Sequence, residues 1–476
     1  MNRTGIFLAV AGVLALIALV AGVPRFTKPT TITNTNEPIV NVTPVKTVSN
    51  GSLSMTGRLS HPFISLGHQD VFATVDLRAV EVPGAARSAV NLALVIDRSG
   101  SMSGFKLNQA KQAARQLISQ LSPGDRLAIV HYGSDVKSLD GMLATPGNKE
   151  KMLAYVDGIW DDGGTNIAAG LTTGRDVLLV ARNDFKVNRL ILISDGQPTE
   201  GIIEADGLTA IVRDIRTYGV SVSSLGVGDD FNEQLMASFA EVGAGAYAFL
   251  QDAAQLGAIF QKDLNAASTQ VARGVSLTFR VPKGAQLQRV LGYSQVTRRM
   301  DGDSELVTVA LPDFAAAQQE RVVAHFTVDG VTAGDSIDVS ALDLSYLDVL
   351  ADGAVHGEAR LSAMTTDQVK VVMDNRDKDA IVFAARARAA DNTAKAAESI
   401  QQGDREGARN FLKANEILFD EAGAVAGAPA VMEDRANQKK LEVGIDQANS
   451  EADGKILQKQ IRTQARRDYG LMGSTY

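Results

Sequence analysis

Several residue types that build common functional sites are absent from the sequence or scarce in it. Its 476 residues include no cysteine, five histidines and one tryptophan. Without cysteine the chain cannot form disulfides, cysteine-ligated zinc sites, iron–sulfur clusters, a thiol nucleophile or a lipid-modified cysteine near its N-terminus. No two histidines stand four residues apart, which argues against a histidine-based metal site on a helix. Any metal bound by this chain therefore has to use oxygen ligands.

Positive charge is also in short supply. The 47 lysines and arginines are outnumbered by 55 aspartates and glutamates, which gives a formal net charge of -8. Because no chain-wide basic field exists to neutralise a phosphate backbone, we expect no nucleic acid partner. The length, with 45% apolar residues, is sufficient for about three domains.

The N-terminal segment contains an uncharged apolar run of 18 residues, 6–23. A run of this length can cross a hydrocarbon core of about 30 Å as a helix. Residues 1–23 therefore predict a single-pass membrane anchor, with a cleaved signal peptide as the alternative because small residues precede position 23. We expect the body to lie outside the cytoplasm, and to be secreted if the segment is cleaved. Residues 24–50, rich in Thr, Asn and Pro, predict a linker, with an edge strand within residues 39–48 as the alternative.

The spacing of apolar residues divides the remainder into three regions. Residues 89–266 alternate short apolar runs with amphipathic helical patterns, which predicts an α/β domain with a doubly wound, mostly parallel sheet. Residues 51–88 and 268–362 show period-two alternation, so we expect one β-sandwich with the α/β domain inserted in it; two unrelated β pieces are the alternative. A helix predicted over residues 254–264 would connect the two domains. Residues 366–470 predict an α-helical region.

Oxygen-bearing side chains follow several of the predicted strands. Asp97, Ser99 and Ser101 come directly after an apolar strand, at the carboxyl end where α/β sheets place their ligand sites. Thr165 lies in a Gly-rich loop before a helix, and Asp195 follows a second apolar strand. Hydroxyls and two carboxylates suit Mg²⁺, or Mn²⁺ if available. A typical Ca²⁺ site has more carboxylates than these two. Strand-end caps without a metal are the alternative.

At these five positions the sequence resembles the von Willebrand factor A (VWA) domain family, whose metal-ion-dependent adhesion site (MIDAS) combines D-x-S-x-S, a Thr and an Asp. The segments GVGDDFNEQLM and GAGAYAFLQDAAQLGAIF are similar to the closing elements of that domain. The whole chain resembles bacterial membrane-anchored proteins that carry a VWA domain with flanking β-sandwich segments. The resemblance implies that the Ser and Thr hydroxyls contact the metal, and that much of the carboxylate coordination passes through water.

Four residues beside the predicted metal site are candidates for a rim that contacts a ligand. Arg98 either reaches outward to a partner or is solvated at a helix end. Trp160 either anchors a ligand at the rim or packs in the core. Asp161 and Asp162 either add negative charge beside the site or form a solvated turn.

The resemblance implies a non-enzymatic, Mg²⁺-dependent module for protein binding, adhesion or assembly at the bacterial cell envelope, whose metal binds a carboxylate of a protein partner. The alternative is a substrate-recruiting subunit that works with an AAA+ ATPase, as some members of the family do. We expect no catalytic residues, because no G-x-S-x-G elbow surrounds a serine and no G-x-x-x-x-G-K-[ST] loop is present. Partner identity and oligomeric state stay open.

Overall fold

The computed structural model describes residues 46–82, 88–228, 230–250, 269–293 and 296–448, together with positions 454, 457, 458, 461, 464 and 465 of a following helix. The predicted anchor, most of the predicted linker and the predicted helix over residues 254–264 lie outside the described residues. Within the described part of the chain, no helix is both long enough and apolar enough to span a membrane.

The elements follow one another in the order strands, α/β unit, strands and helices. The strands are β1 Lys46–Asn50, β2 Leu53–Leu59, β3 Phe63–Ser65, β4 Gly67–Ala79, β5 Val90–Asp97, β6 Arg126–Tyr132, β7 Val136–Leu143, β8 Val187–Ser194, β9 Val220–Val227, β10 Ala244–Leu250, β11 Gln270–Val281, β12 Ala285–Leu291, β13 Val296–Asp301, β14 Ser304–Ala310, β15 Phe314–Ala315, β16 Gln319–Gly330, β17 Ser336–Asp348 and β18 Gly353–Thr366. The helices are α1 Phe105–Gln120, α2 Pro146–Asp157, α3 Ile167–Leu179, α4 Ala205–Thr217, α5 Glu233–Val242, α6 Val369–Asp374, α7 Lys378–Gln401, α8 Arg405–Ala426 and α9 Met432–Gln447.

The central α/β sheet has six strands in the order β10-β9-β8-β5-β6-β7. All neighbours pair in parallel except the edge strand β7, which is antiparallel to β6. Every residue of β5, β6, β8 and β9 is buried, because helices cover both faces of the sheet. Helices α1 and α2 pack on one face, and α3, α4 and α5 pack on the other. The predicted doubly wound fold class is confirmed.

The β-sandwich is assembled from chain segments on both sides of this α/β unit. One sheet has the order β1-β2-β4-β16-β12, and the other has the order β13-β14-β11-β17-β18-β3 with β15 added to β11. Val75 of β4 lies opposite Val322 of β16 in an antiparallel ladder. The buried Asp348 carboxylate at the end of β17 accepts hydrogen bonds from the Ser52 backbone N–H and hydroxyl, at 2.7 and 2.8 Å. The α/β unit is therefore inserted in the sandwich.

One part of the linker prediction is wrong. Residues 46–50 form β1, which pairs antiparallel with β2, so the linker does not extend to residue 50. The two strands are joined by a two-residue turn whose first residue, Gly51, has a φ of +61°. A side chain there would be strained, and its Cβ would lie 2.5 Å from Asp348 Oδ2. The turn thus holds β1 at the sandwich edge, as the edge-strand alternative expected for part of this segment.

The C-terminal region is helical and packs on the sandwich. Helices α7 and α8 form a hairpin in which the Asp404 side chain caps α8 by accepting from the Gly407 backbone N–H. Helix α7 lies against the outer face of β4 and β16. There the Arg321 guanidinium stacks on the Phe383 ring, 3.2 Å from its centroid. Ala387 of the same helix is buried with Leu291 and Val323.

Candidate metal centre

Strand β5 ends on a fully buried carboxylate, that of Asp97. Its Oδ1 accepts hydrogen bonds from the Ser99 backbone N–H at 2.9 Å and from the Ser99 hydroxyl at 2.6 Å. Its Oδ2 accepts from the hydroxyls of Ser194, at 2.6 Å, and Tyr132, at 3.2 Å. Four donors therefore fix the orientation of this carboxylate at the carboxyl end of the sheet.

The loop after β5 aligns two serine hydroxyls beside this carboxylate. Ser99 is buried and Ser101 is exposed, and their hydroxyl oxygens lie 3.1 Å apart. A short 3-10 turn over Gly100–Met102 holds them in this arrangement. Asp97, Ser99 and Ser101 thus form one hydrogen-bonded row that runs from the interior to the surface.

The buried Thr165 lies on a loop that is tied to the loops after β5 and β8. The Gly100 backbone N–H donates to the Gly163 carbonyl at 3.0 Å. The Thr165 carbonyl accepts from the backbone N–H groups of Thr199 and Glu200, at 3.0 and 3.2 Å. Gly163 has a φ of +77°, a conformation that favours glycine and explains the Gly-rich sequence before the threonine.

Asp195 follows β8 directly and is fully buried. Strands β5 and β8 are the central neighbours at which the strand order of the sheet reverses, the position where α/β folds bind ligands. Asp195 Oδ2 accepts from the Lys106 ammonium at 3.1 Å. Asp195 Oδ1 is buried and has no hydrogen-bond partner among the residues that the structure describes. A buried carboxylate oxygen left in this state is destabilising unless another group binds it.

The five predicted residues fit a hard, oxygen-coordinated cation. The structure brings two buried carboxylates and three hydroxyl-bearing residues to one end of the sheet, and one carboxylate oxygen there lacks a partner. The described residues contain no cluster of three or more His, Asp or Glu side chains that could hold a metal by itself. The hydroxyls of Ser99, Ser101 and Thr165 would complete such a site for Mg²⁺ or Mn²⁺. Metal binding at these residues stays a prediction.

Sequence reasoning missed Lys106, the residue that carries positive charge into this site. It lies in the first turn of α1, and its ammonium pairs with Asp195 at 3.1 Å and with Asp230 at 2.7 Å. Burial opposes the charged form, but the two carboxylates outweigh it and raise the pKa of Lys106. The sequence feature that could have indicated Lys106 is its position shortly after D-x-S-x-S, at the start of the following helix.

The four predicted rim residues divide into one buried side chain and three exposed ones. Arg98 does not reach outward, because its side chain is 3% exposed and forms an ion pair with Asp135 in the loop after β6. Trp160 is 67% exposed, so of its two alternatives the one that packs it in the core is wrong. Asp161 and Asp162 are exposed beside the threonine loop.

The family comparison agrees with this arrangement of strand ends and loops. Residues 91–262 match the model of the von Willebrand factor type A domain family. The chain contains a VWA domain. The match begins at β5 and includes all five predicted metal ligands, and its relatives include bacterial proteins. VWA domains generally mediate protein interaction or adhesion and commonly bind a divalent metal.

Individual relatives show how far the similarity extends beyond the VWA domain. The chain is 26% identical over 274 residues to the uncharacterized protein YfbK of Escherichia coli, covering 56% of this chain and 43% of that protein. It is 35% identical over 147 residues to inter-alpha-trypsin inhibitor heavy chain H1 of Sus scrofa, covering 29% and 16%. The chain thus spans less than half the length of both relatives. A solved von Willebrand factor type A structure from Catenulispora acidiphila shares the fold, with a TM-score of 0.66 at 16% identity, covering 88% of this chain and 97% of that one.

The ionisation of Asp97 predicts a pH dependence for metal binding. Burial, with a further contribution from Asp195, raises the pKa of Asp97 from 3.8 to about 6, although hydrogen bonds from Ser194 and Ser99 oppose the shift. The folded, metal-free VWA domain thus holds this proton more tightly than the unfolded chain does. Its free energy of unfolding should fall by about 3 kcal/mol as the pH rises from below 4 to above 6.

Because Mg²⁺ competes with this proton, its stabilising effect should be small at pH 5 and full at pH 7.5. Thermal unfolding in EDTA and in Mg²⁺ at the two pH values measures the effect. An equal increase in melting temperature at both pH values would contradict this assignment of Asp97.

Proposed function

We propose that this protein is a non-enzymatic, Mg²⁺-dependent module that binds a protein partner at the bacterial cell envelope. The observation that carries the proposal is the buried Asp195 Oδ1, which lacks a hydrogen-bond partner among the described residues and lies at the same end of the sheet as the row of Asp97, Ser99 and Ser101. A cation held there supplies positive charge at the protein surface. Its ligand would be a carboxylate of the partner, because Mg²⁺ prefers oxygen ligands and anionic ones most.

Surface charge supports a strict dependence of this binding on the metal. The chain carries a net charge of -8, and the exposed carboxylates of Asp161 and Asp162 lie next to the site. Without a bound cation these groups repel an acidic partner. Envelope display rests on the apolar run at residues 6–23, which would anchor the body to the membrane.

The proposal is tested by capture from an envelope extract on the immobilised protein, with Mg²⁺ or with EDTA. We expect specific proteins to be retained in Mg²⁺, and to be lost both in EDTA and on the Asp97→Asn variant. The matched control is Ser103→Ala, which removes an exposed hydroxyl two residues beyond Ser101 and should retain the same proteins.

A second arm tests the chemistry of the ligand. Converting carboxylates of the extract to neutral amides should abolish the Mg²⁺-dependent capture. Capture that survives EDTA, Asp97→Asn or amidation would contradict the proposed function.

A further inference from the structure

A cavity lies beside the loops of the predicted metal site, on the face of the sheet covered by α1 and α2. It has a volume of about 270 Å³ and is bounded by His131 of β6, Lys137 of β7, Tyr155 of α2, Arg98 and Trp160. Protein ligand pockets begin at about 300 Å³, so the cavity suits a side chain or a small organic molecule rather than a large cofactor. None of the five residues of the predicted metal site lines it.

Three polar atoms of the residues around this cavity are buried and have no hydrogen-bond partner in the described part of the chain. They are Arg98 Nε, His131 Nδ1 and the Tyr155 hydroxyl oxygen. The rings of His131 and Tyr155 contact each other, with centroids 5.5 Å apart. Each unpartnered buried polar group is destabilising by about 1–3 kcal/mol, and most native proteins contain few of them. Three at one cavity indicate that a ligand completes their hydrogen bonds.

The charge around the cavity selects the class of ligand. Among the described residues that line it, two side chains are cationic, Arg98 and Lys137, and none is a carboxylate; both cations pair with Asp135 in the loop after β6. Arg98 uses its terminal nitrogens for Asp135 and for the Asp162 carbonyl, which leaves its Nε–H as the free donor.

The two aromatic side chains can also donate. Burial, together with Arg98 and Lys137, lowers the pKa of His131 to about 4, so its ring is neutral at pH 7 and can carry a proton on Nδ1. Burial raises the pKa of Tyr155, so its hydroxyl keeps its proton. Three donors, one of them on a guanidinium, match the acceptor-only oxygens of a carboxylate.

We propose that this cavity binds a carboxylate group through Arg98, His131 and Tyr155, independently of the metal. The carboxylate belongs either to an acidic side chain of a bound protein or to a free small acid. An exposed indole, that of Trp160, forms part of the cavity and would contact the remainder of the ligand.

Trp160 provides a direct reporter, because it is the only tryptophan in the sequence. We would titrate the full-length protein, freed of divalent metal with a chelating resin, with succinate and, separately, with a capped tripeptide Gly-Glu-Gly, and follow tryptophan fluorescence at constant ionic strength. We expect a saturable change with at least one of these probes, and none with succinamide or with the Gly-Gln-Gly peptide. Saturation by succinate alone assigns the site to free acids, whereas saturation by the Glu peptide assigns it to protein side chains.

Two conservative variants test the residues. Tyr155→Phe and His131→Phe each remove one polar group while keeping a ring, and each should weaken binding about fivefold or more. The matched control, Tyr218→Phe, removes a hydroxyl on the opposite face of the sheet and should titrate like the wild type. The absence of any saturable change in the wild type, or wild-type binding by both cavity variants, would overturn the proposal. Because divalent metal and free chelator are both absent, neither result depends on the metal site.

Discussion

Replacing Asp97 with Asn is expected to abolish the increase in melting temperature that Mg²⁺ causes in the wild-type protein at pH 7.5. A ligand at 100 times its Kd stabilises a folded protein by about 2.7 kcal/mol, which corresponds to several degrees. The variant removes the charge that would hold the cation, so this stabilisation should be lost. Differential scanning calorimetry in Mg²⁺ and in EDTA measures the melting temperature of the wild type and of the variant under each condition.

The same variant should not be destabilised in EDTA. The Asp97 carboxylate is buried, and its pKa of about 6 shows that its ionised form is disfavoured in the folded, metal-free protein. An Asn amide keeps the shape, and the hydroxyls of Tyr132 and Ser194 can rotate to accept from it. We therefore expect a melting temperature in EDTA equal to or above that of the wild type. A variant that retains the full Mg²⁺ response would disprove the role given to Asp97.

Replacing Lys106 with Met is expected to tighten Mg²⁺ binding by about tenfold or more. In the metal-free protein the ammonium pairs with Asp195, one of the two carboxylates that would hold the cation. Two cations beside one buried carboxylate repel each other, and a difference of 1.4 kcal/mol already changes a binding constant tenfold. Without the ammonium, both oxygens of Asp195 lack a side-chain partner among the described residues, which should also lower the melting temperature in EDTA.

The matched control for this prediction is Lys111→Met on the same helix. The Lys111 ammonium bonds to the Asp157 carbonyl at the end of α2 and does not contact the site. Isothermal titration with MgCl₂ should give the wild-type Kd for this control and a lower Kd for Lys106→Met. An unchanged or higher Kd for Lys106→Met would show that the ammonium does not compete with the metal.

Much of the fold could be predicted because burial leaves a direct pattern in the sequence. A parallel strand covered on both faces is apolar at nearly every position, as in VNLALVID of β5, whereas a sandwich strand such as β2 alternates buried and half-buried residues. Strand β1 gives no such pattern, so its sequence predicts mainly a linker. Among the described strands this five-residue strand has a neighbour on one side only, β2, and its composition resembles that of a tether.

The candidate site was predictable to the extent that strand ends determine it. Asp97 and Asp195 end neighbouring parallel strands, so topology alone brings them to the same edge of the sheet. The position of Lys106 depends on how α1 packs, which brings its ammonium to a carboxylate 89 residues further along the chain. Both interpretations of Arg98, contact with a partner and solvation at a helix end, place its side chain at the surface, and both are wrong. Its burial depends on the ion pair with Asp135, a long-range contact with no signal in local sequence.

The anomalous difference map of a crystal grown with MnCl₂ tests most directly whether these residues form a metal centre. We predict one strong manganese peak at the carboxyl end of β5 and β8, bounded by the hydroxyls of Ser99, Ser101 and Thr165, and a shift of the Lys106 ammonium away from Asp195. A map with no peak at this position, and with Lys106 still paired to Asp195, would contradict the central claim that these residues form the metal centre.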